Sequence, residues 1–154
     1  MSKMPGKNKI IKEISFSLLA EGKTIKIRAD GYSMYPTIKP GSIIYIEPIC
    51  LGELPVTGEI VAWKRKSGLV VHRIIRIIKE GNQMYFVTRG DSCAREDKPI
   101  LAGYVTGRVI KTEDKNGNIL KNTGFESNPD YRINRLRVKV IHLRRVFFRA
   151  IWKE

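Results

Sequence analysis

Short apolar runs recur along the first 120 residues, and turn-forming residues separate them. Several runs alternate apolar with polar positions or are rich in β-branched residues, which is typical of strands. The predicted strands cover residues 24–29, 42–46, 59–63, 69–78, 84–88, 103–112 and 119–120. Asn116-Gly117, just before the last of them, is a strong signal for a two-residue hairpin. Strands at this spacing predict a mainly β fold with an antiparallel, roll-like or barrel-like sheet.

Two segments show helical spacing instead. Apolar residues at 11, 14 and 18 predict a short N-terminal helix over residues 10–20, which Gly22 would end. Residues 131–154 predict one long, basic, amphipathic helix. Its apolar face would hold Ile133, Leu136, Val140, Leu143, Phe147 and Ile151. Most of its Arg and Lys residues lie opposite, although Arg137 and Arg144 interrupt the apolar side.

These elements predict three regions along the chain. Residues 1–9 are expected to be a disordered basic tail, residues 10–122 a single β domain, and residues 123–154 a polar linker followed by the basic helix. With 154 residues, one domain with a terminal appendage is the expected organisation.

The charge of the chain indicates which kind of partner it attracts, and its cysteine content limits the kinds of site that it can form. The chain has 29 Lys and Arg against 15 Asp and Glu, a net charge of +14 that attracts anionic partners. The two cysteines, Cys50 and Cys93, are far apart and are expected to be free thiols. With only two histidines and no paired cysteines, the sequence indicates neither a metal site nor a cofactor.

The sequence contains no apolar run of about 18 residues, the length that a transmembrane helix requires. The N-terminal segment is too short and too charged for a secretory signal. We therefore expect the chain to be made and kept in the cytoplasm, with any membrane contact peripheral.

The turn at residues 31–37, Gly-Tyr-Ser-Met-Tyr-Pro-Thr, follows a predicted strand and can expose the hydroxyl of Ser33. A serine hydroxyl becomes a useful nucleophile only when a base takes its proton. His72, in the long strand at 69–78, is a candidate base because imidazole titrates near neutral pH. Asp91 and Asp97, in the polar loop at 89–99, are candidate acids.

Four blocks of sequence occur in the order Gly-x-Ser-Met-x-Pro-Thr, Gly-Glu-Ile-Val, Val-His-Arg-Ile and Thr-x-Gly-Asp, with a second Asp six residues after the first. In this order they resemble the type I signal peptidase superfamily, and most closely its histidine-containing branch, found in archaea, the endoplasmic reticulum and some bacteria. The resemblance covers roughly residues 27–110.

The resemblance implies a serine endopeptidase with Ser33 as nucleophile and His72 as general base. One of the two aspartates would orient His72. We favour Asp97 slightly for this role. The other aspartate would brace the loop or pair with an arginine, either Arg73, Arg89 or Arg95.

The resemblance further implies that Met34, Tyr35 and Pro36 line the substrate site and that cleavage follows small residues. Relatives often carry a hydroxyl two places before the nucleophile, where this chain has Gly31. The oxyanion would then be stabilised by backbone amides of Ser33 and Gly31 or by an ordered water. Since signal peptidases are anchored in membranes, a leader or precursor peptide of the cytoplasm fits this chain better than a secreted preprotein.

Two other functions stay open at this point. One is a catalytically weak or inactive binding module for a peptide, a membrane surface or nucleic acid. The other is a regulator of the self-cleaving repressor type, which the short N-terminal helix and His72 in place of a lysine argue against.

The basic C-terminal helix has its own alternatives. It can lie on an anionic membrane surface, dock on a partner protein or on the β domain, contact nucleic acid, or simply pack its apolar face on the core. We expect no specific nucleic-acid recognition, and the sequence does not indicate an oligomeric state.

Overall fold

The computed structural model describes residues 7–50, 52–65, 68–120 and 130–151, with the backbone alone at 7–13, 120, 145 and 147–151. The order of elements is a helix, a series of strands and a second helix. The strands are β1 (Ile25–Arg28), β2 (Ile43–Pro48), β3 (Ile60–Arg65), β4 (Gly68–Glu80), β5 (Gln83–Arg89), β6 (Ile100–Leu101), β7 (Val105–Glu113) and β8 (Ile119–Leu120), with a 3₁₀ turn at Ala102–Tyr104. The helices are α1 (Lys7–Ala20) and α2 (Tyr131–Ile151).

The strands form one antiparallel sheet in the order β1-β2-β7-β3-β4-β5-β6, and β8 pairs with the end of β7. The predicted mainly β, antiparallel fold with one helix towards each end of the chain is therefore confirmed. Within the described residues the sheet is open, with β1 and β6 at its two ends. Its barrel-like closure is thus not confirmed.

The central strand β3 is buried on both faces, which explains its continuous apolar run. Ile60 and Ala62 belong to one core cluster, which also contains Leu19 of α1, while Val61 and Trp63 belong to a second cluster with Ile74 and Phe86. Successive side chains of a strand point to opposite faces. The sheet is therefore covered on both sides near the middle.

Two boundaries differ from the predictions. Residues 7–9 belong to α1 rather than to a disordered tail, because the nearest helix-breaking residues are Pro5 and Gly6; residues 1–6 lie outside the described part. The chain also forms β6 and the 3₁₀ turn before β7 begins at Val105. A two-residue strand is too short to produce a recognisable alternation of apolar and polar positions. The predicted linker, apart from Asp130, lies outside the described residues.

The helix α2 does not pack its apolar face on the core, so that alternative is wrong for the side chains described. Ile133, Leu136, Val140 and Leu143 are exposed, whereas Asn134 is buried. Side chains of the predicted face beyond residue 146 are outside the described set. A buried polar contact, argued below, decides which side of the helix faces the domain.

Candidate active site

The turn that carries Ser33 leaves β1 and is anchored in the core on its far side. Tyr35 N–H donates to the Tyr32 carbonyl at 3.0 Å, and Ile38 N–H donates to the Met34 carbonyl at 2.9 Å. The side chains of Met34 and Ile38 are both buried in the cluster that α1 covers. These contacts fix the backbone around Ser33, whose own side chain is half-buried at the surface.

The loop after β5 forms hydrogen bonds with the same turn. Ser92 N–H donates to the Ser33 carbonyl at 2.9 Å, and Ser92 Oγ donates to the Tyr32 carbonyl at 2.7 Å. Gly90 allows this close approach, because a Cβ at that position would lie 2.6 Å from Ser33 O and 3.0 Å from Ser33 Cβ. A glycine is required here because the two backbones are in contact.

The strand β4 carries His72, and the same loop supplies its partner. His72 Nδ1 lies 2.6 Å from Asp97 Oδ2, and Thr88 Oγ1 donates to the same oxygen at 2.8 Å. The backbone of Asp97 is held by its N–H, which donates to the Thr88 carbonyl at 2.8 Å. His72 and Asp97 are both largely buried, with side chains 13% and 16% exposed.

Asp97 is ionised at neutral pH, which is the state in which it can accept a hydrogen bond from the His72 ring. Burial alone would raise the pKa of Asp97, but the hydrogen bonds and charge of His72 and the hydrogen bond of Thr88 outweigh burial and lower it. Asp97 is therefore an acceptor at neutral pH. Its contact fixes the proton of neutral His72 on Nδ1 and leaves Nε2 as the lone-pair nitrogen.

The loop after β5 places the Ser33 turn beside one end of the β4–β5 ladder. The last pair at that end is Arg73 with Arg89, and His72 and Gly90 are the next residues beyond it on the two segments. Gly90 packs against the turn, since its Cβ position is 3.0 Å from Ser33 Cβ. Ser33 and His72 therefore both lie near this end of the ladder.

The hydrogen bond expected between the Ser33 hydroxyl and His72 is not formed among the described residues. Ser33 Oγ and His72 Nε2 have no hydrogen-bond partner among the residues that the structure describes. In free enzymes such contacts are often long and tighten only when substrate binds.

Asp91 has a different environment from Asp97. It is fully buried, and its two carboxylate oxygens accept from Arg73 Nε at 2.9 Å and Arg73 Nη2 at 2.8 Å. Thr37 Oγ1, from the Ser33 turn, donates to Asp91 at 2.5 Å, and Arg73 Nη1 donates to the Gly58 carbonyl at 2.7 Å. Asp91 thus braces the turn through Arg73 and Thr37, and it makes no hydrogen bond to His72 in the described structure.

The remaining predicted site residues are Met34, Tyr35 and Pro36, expected to line the substrate site, and Gly31, expected to stabilise the oxyanion. Met34 is only 4% exposed and packs in the core, which leaves its side chain out of reach of a substrate in this structure. Tyr35 and Pro36 are half-buried at the surface, and the Tyr35 ring contacts Tyr32 with centroids 6.3 Å apart. Gly31 is exposed, and a Cβ there would contact nothing closer than Ser33 N at 4.0 Å.

Cys93 lies close to the site but is a poor nucleophile. Burial, followed by the negative charge of Asp97, raises the pKa of its thiol above the ordinary value. The thiolate is the reactive form of cysteine. Cys93 therefore stays protonated at neutral pH.

Four residues have contacts in the site that the sequence analysis did not predict. Thr37, Thr88 and Asn134 act through hydrogen bonds across 54, 9 and 43 positions of the chain, and Gly90 acts through its missing side chain. Asn134 Nδ2 of α2 donates to the Asp91 carbonyl at 3.1 Å. Thr37, Thr88 and Gly90 lie within the sequence blocks described above, but those blocks do not indicate which residues they contact. Asn134 has no such signal, because asparagine is an ordinary residue on a helix.

No cluster of three or more metal-binding side chains occurs among the described residues. The sequence matches no protein-family model and no curated protein. The resemblance to signal peptidases therefore stays a prediction.

Proposed function

We propose that this protein is a serine endopeptidase of the signal-peptidase-like type that cleaves a leader or precursor peptide. The contact between His72 and Asp97 carries the proposal, because it leaves Nε2 of the imidazole able to accept a proton, and the loop that supplies Asp97 also contacts the Ser33 turn. The order of the four sequence blocks supports the same assignment.

In the proposed reaction, substrate binding closes the gap between Ser33 Oγ and His72 Nε2. Nε2 takes the hydroxyl proton as Oγ attacks the scissile carbonyl carbon, and Asp97 stabilises the imidazolium that forms. His72 then gives the proton to the leaving amine as the peptide C–N bond breaks. Water, activated by the same nitrogen, hydrolyses the acyl-enzyme. Proton transfer of this kind contributes about 10²–10⁴-fold in rate.

The oxyanion of the tetrahedral intermediate requires donors near Ser33. The N–H groups of Ser33 and Gly31 donate to no acceptor among the described residues, which makes them the candidate donors. A donor of this type is worth about 10²–10³-fold in rate. With glycine at position 31, the chain relies on backbone amides where relatives often place a hydroxyl.

The test compares cleavage of a peptide library, and of candidate precursor peptides, by the wild type and by Ser33→Ala. We expect Ser33→Ala and His72→Ala to lose cleavage and Ser17→Ala, an exposed serine of α1, to retain it. Cys93→Ser is also expected to retain cleavage. Equal cleavage by the wild type and Ser33→Ala would contradict the assignment.

One observation favours a second candidate, a peptide-binding module without catalysis: Ser33 Oγ has no hydrogen bond to His72 in the described structure. A fluorophosphonate probe distinguishes the two, since it forms a covalent bond only with an activated serine. Mass spectrometry that locates the adduct on Ser33 would rule against the binding module. Peptide binding without cleavage or labelling would favour it.

A further inference from the structure

The helix α2 has two unlike faces, and its inner face makes polar and aromatic contacts with the domain. Asn134 is 5% exposed and donates to the Asp91 carbonyl, Arg89 stacks on the Tyr131 ring at 3.2 Å, and His142 contacts the Tyr32 ring with centroids 5.0 Å apart. At 100° per residue these three helix positions fall within one side of the helix. The inner face therefore rests on the Ser33 turn and on the loop after β5.

The outer face carries an unpartnered apolar stripe. Ile133, Leu136, Val140 and Leu143 recur at intervals of three and four residues, and they are 49%, 62%, 48% and 64% exposed. On a helical wheel they span about 80° and lie opposite the contacts with the domain. Four large apolar side chains exposed in one stripe indicate an interaction surface.

Cations line both edges of this stripe. Arg132 and Lys139 lie along one edge, and Arg137 and Arg144 along the other, all of them exposed. The sequence of α2 contains no Asp or Glu at all. The surface is therefore apolar in the middle and positive on both sides, with no negative charge to pair with a second basic surface.

From this pattern we infer that α2 lies flat on an anionic membrane surface, with its apolar stripe among the acyl chains next to the headgroups. Long Arg and Lys side chains at the edges of such a stripe reach the phosphates while their apolar stems stay buried. Each cation held near an anionic surface strengthens binding about fivefold. No helix among the described residues is long and apolar enough to cross a membrane.

The same charges argue against a second copy of the chain as the occupant. Paired helices of this kind meet along their apolar stripes and place the flanking residues side by side. Here every charged flanking residue would meet another cation. Nucleic acid fits the cations, but it gives no reason for four exposed apolar side chains between them.

Membrane contact through the outer face would also fix the position of the proposed active site. The Ser33 turn and the membrane would lie on opposite sides of α2, and a helix with its side chains is about 10–12 Å across. The site would then be held roughly one helix diameter from the surface, within reach of a peptide near it. This consequence rests on the proposed function, whereas the docking itself does not.

The experiment measures co-flotation of the full chain with phosphatidylcholine vesicles prepared with and without phosphatidylglycerol. We expect wild type and Ser33→Ala to bind the anionic vesicles equally and the neutral ones at least tenfold more weakly. Leu136→Gln/Leu143→Gln should weaken anionic binding by about tenfold or more. Arg132→Gln/Lys139→Gln should weaken it by about 25-fold and reduce the preference for anionic lipid.

A matched control is Leu54→Gln/Ile119→Gln, two apolar side chains that are 56% and 51% exposed outside α2. It should bind as the wild type, and circular dichroism verifies that each variant is folded. Unchanged flotation of Leu136→Gln/Leu143→Gln, or equal binding to both vesicle types, overturns the proposal. A dimer that Leu136→Gln/Leu143→Gln dissociates would identify a second copy instead, and duplex DNA binding without vesicle binding would identify nucleic acid.

Discussion

The most constrained residue of the candidate site carries no side chain. Gly90 lies where the loop after β5 crosses the Ser33 turn, and the distance of 2.6 Å from its Cβ position to Ser33 O leaves no room for a methyl group. The nearest atom to the Cβ position is the backbone oxygen of Ser33, so a change of side-chain rotamer cannot relieve the clash.

We expect Gly90→Ala to displace Ser33 and to lower kcat/KM for a cleaved peptide by about 10²-fold, since small displacements of reacting groups have costs of this size. Gly103→Ala is the control, because a Cβ at Gly103 meets nothing within 4 Å. Cleavage assays of both variants check the prediction. Full activity in Gly90→Ala would show that the contact between the loop and the turn does not position the proposed nucleophile, Ser33.

The lowered pKa of Asp97 predicts a pH-dependent contribution to stability. The folded protein binds a proton on Asp97 less readily than the unfolded chain does, so this contribution is complete above the ordinary aspartate pKa of about 3.9. It is lost as pH falls through the lower pKa of the folded state. Replacing the carboxylate by an amide removes it at every pH.

Urea unfolding of the wild type and Asp97→Asn between pH 7 and pH 3 measures this contribution. We expect the difference in the free energy of unfolding to shrink as the pH falls below about 4. Asp30→Asn, whose side chain is 79% exposed, should change stability by less than about 0.5 kcal/mol. A difference that does not shrink between about pH 4 and pH 3 would contradict the assignment.

At the scale of the elements, side chains alternate between the two faces of β4, so the adjacent residues His72 and Arg73 contact different parts of the protein. His72 projects to the face of Val61 and Thr88, whereas Arg73 projects to the other face and reaches Asp91 and the Gly58 carbonyl. A register slip of one residue would exchange the two faces. The pairing of β4 with its neighbours thus positions both the proposed base, His72, and Arg73, which holds Asp91.

The ion pair of Arg73 with Asp91 joins β4, the loop after β5 and, through Thr37, the Ser33 turn. Arg73→Met should cost about 3–5 kcal/mol in the free energy of unfolding, because it leaves a buried carboxylate without a cationic partner. Arg76→Met, on the same strand, removes an exposed pair with Glu96 and should cost less than about 1 kcal/mol. Denaturant titration compares the two; equal costs would contradict a structural role for the buried pair.

For the whole molecule, the candidate site is assembled from segments that are distant in sequence. The turn at 31–37, the strand position 72 and the loop at 90–97 meet only because β4 lies beside β5 and because the loop folds back onto the turn. The inner face of α2 adds a fourth segment through Asn134. The net charge of +14 acts at this scale as well, since it favours approach to anionic surfaces before any specific contact forms.

Much of this organisation was readable from the sequence, for reasons that are local. The strand runs, the presence of a hairpin around Asn116-Gly117 and the start of α2 depend on patterns within a few residues, and they agree with the structure. The hairpin loop is longer than the two residues predicted, since the last pair of β7 and β8 is Glu113 with Ile119. The start of α1 and the strand β6 did not agree, because helix ends are weakly marked in a sequence and a two-residue strand leaves little pattern. Ser33, His72 and the two aspartates were singled out by residue type and order.

The sequence by itself determined the strands and their order along the chain, the candidate chemistry, and the apolar stripe and charge of α2. Only the tertiary structure decided that Asp97 contacts His72 while Asp91 is held by Arg73, because a carboxylate's partner depends on the path of its loop. It also decided that the stripe faces outwards. Burial of apolar area alone would turn it towards the core, but the contacts of Tyr131, Asn134 and His142 hold the opposite side of the helix against the domain.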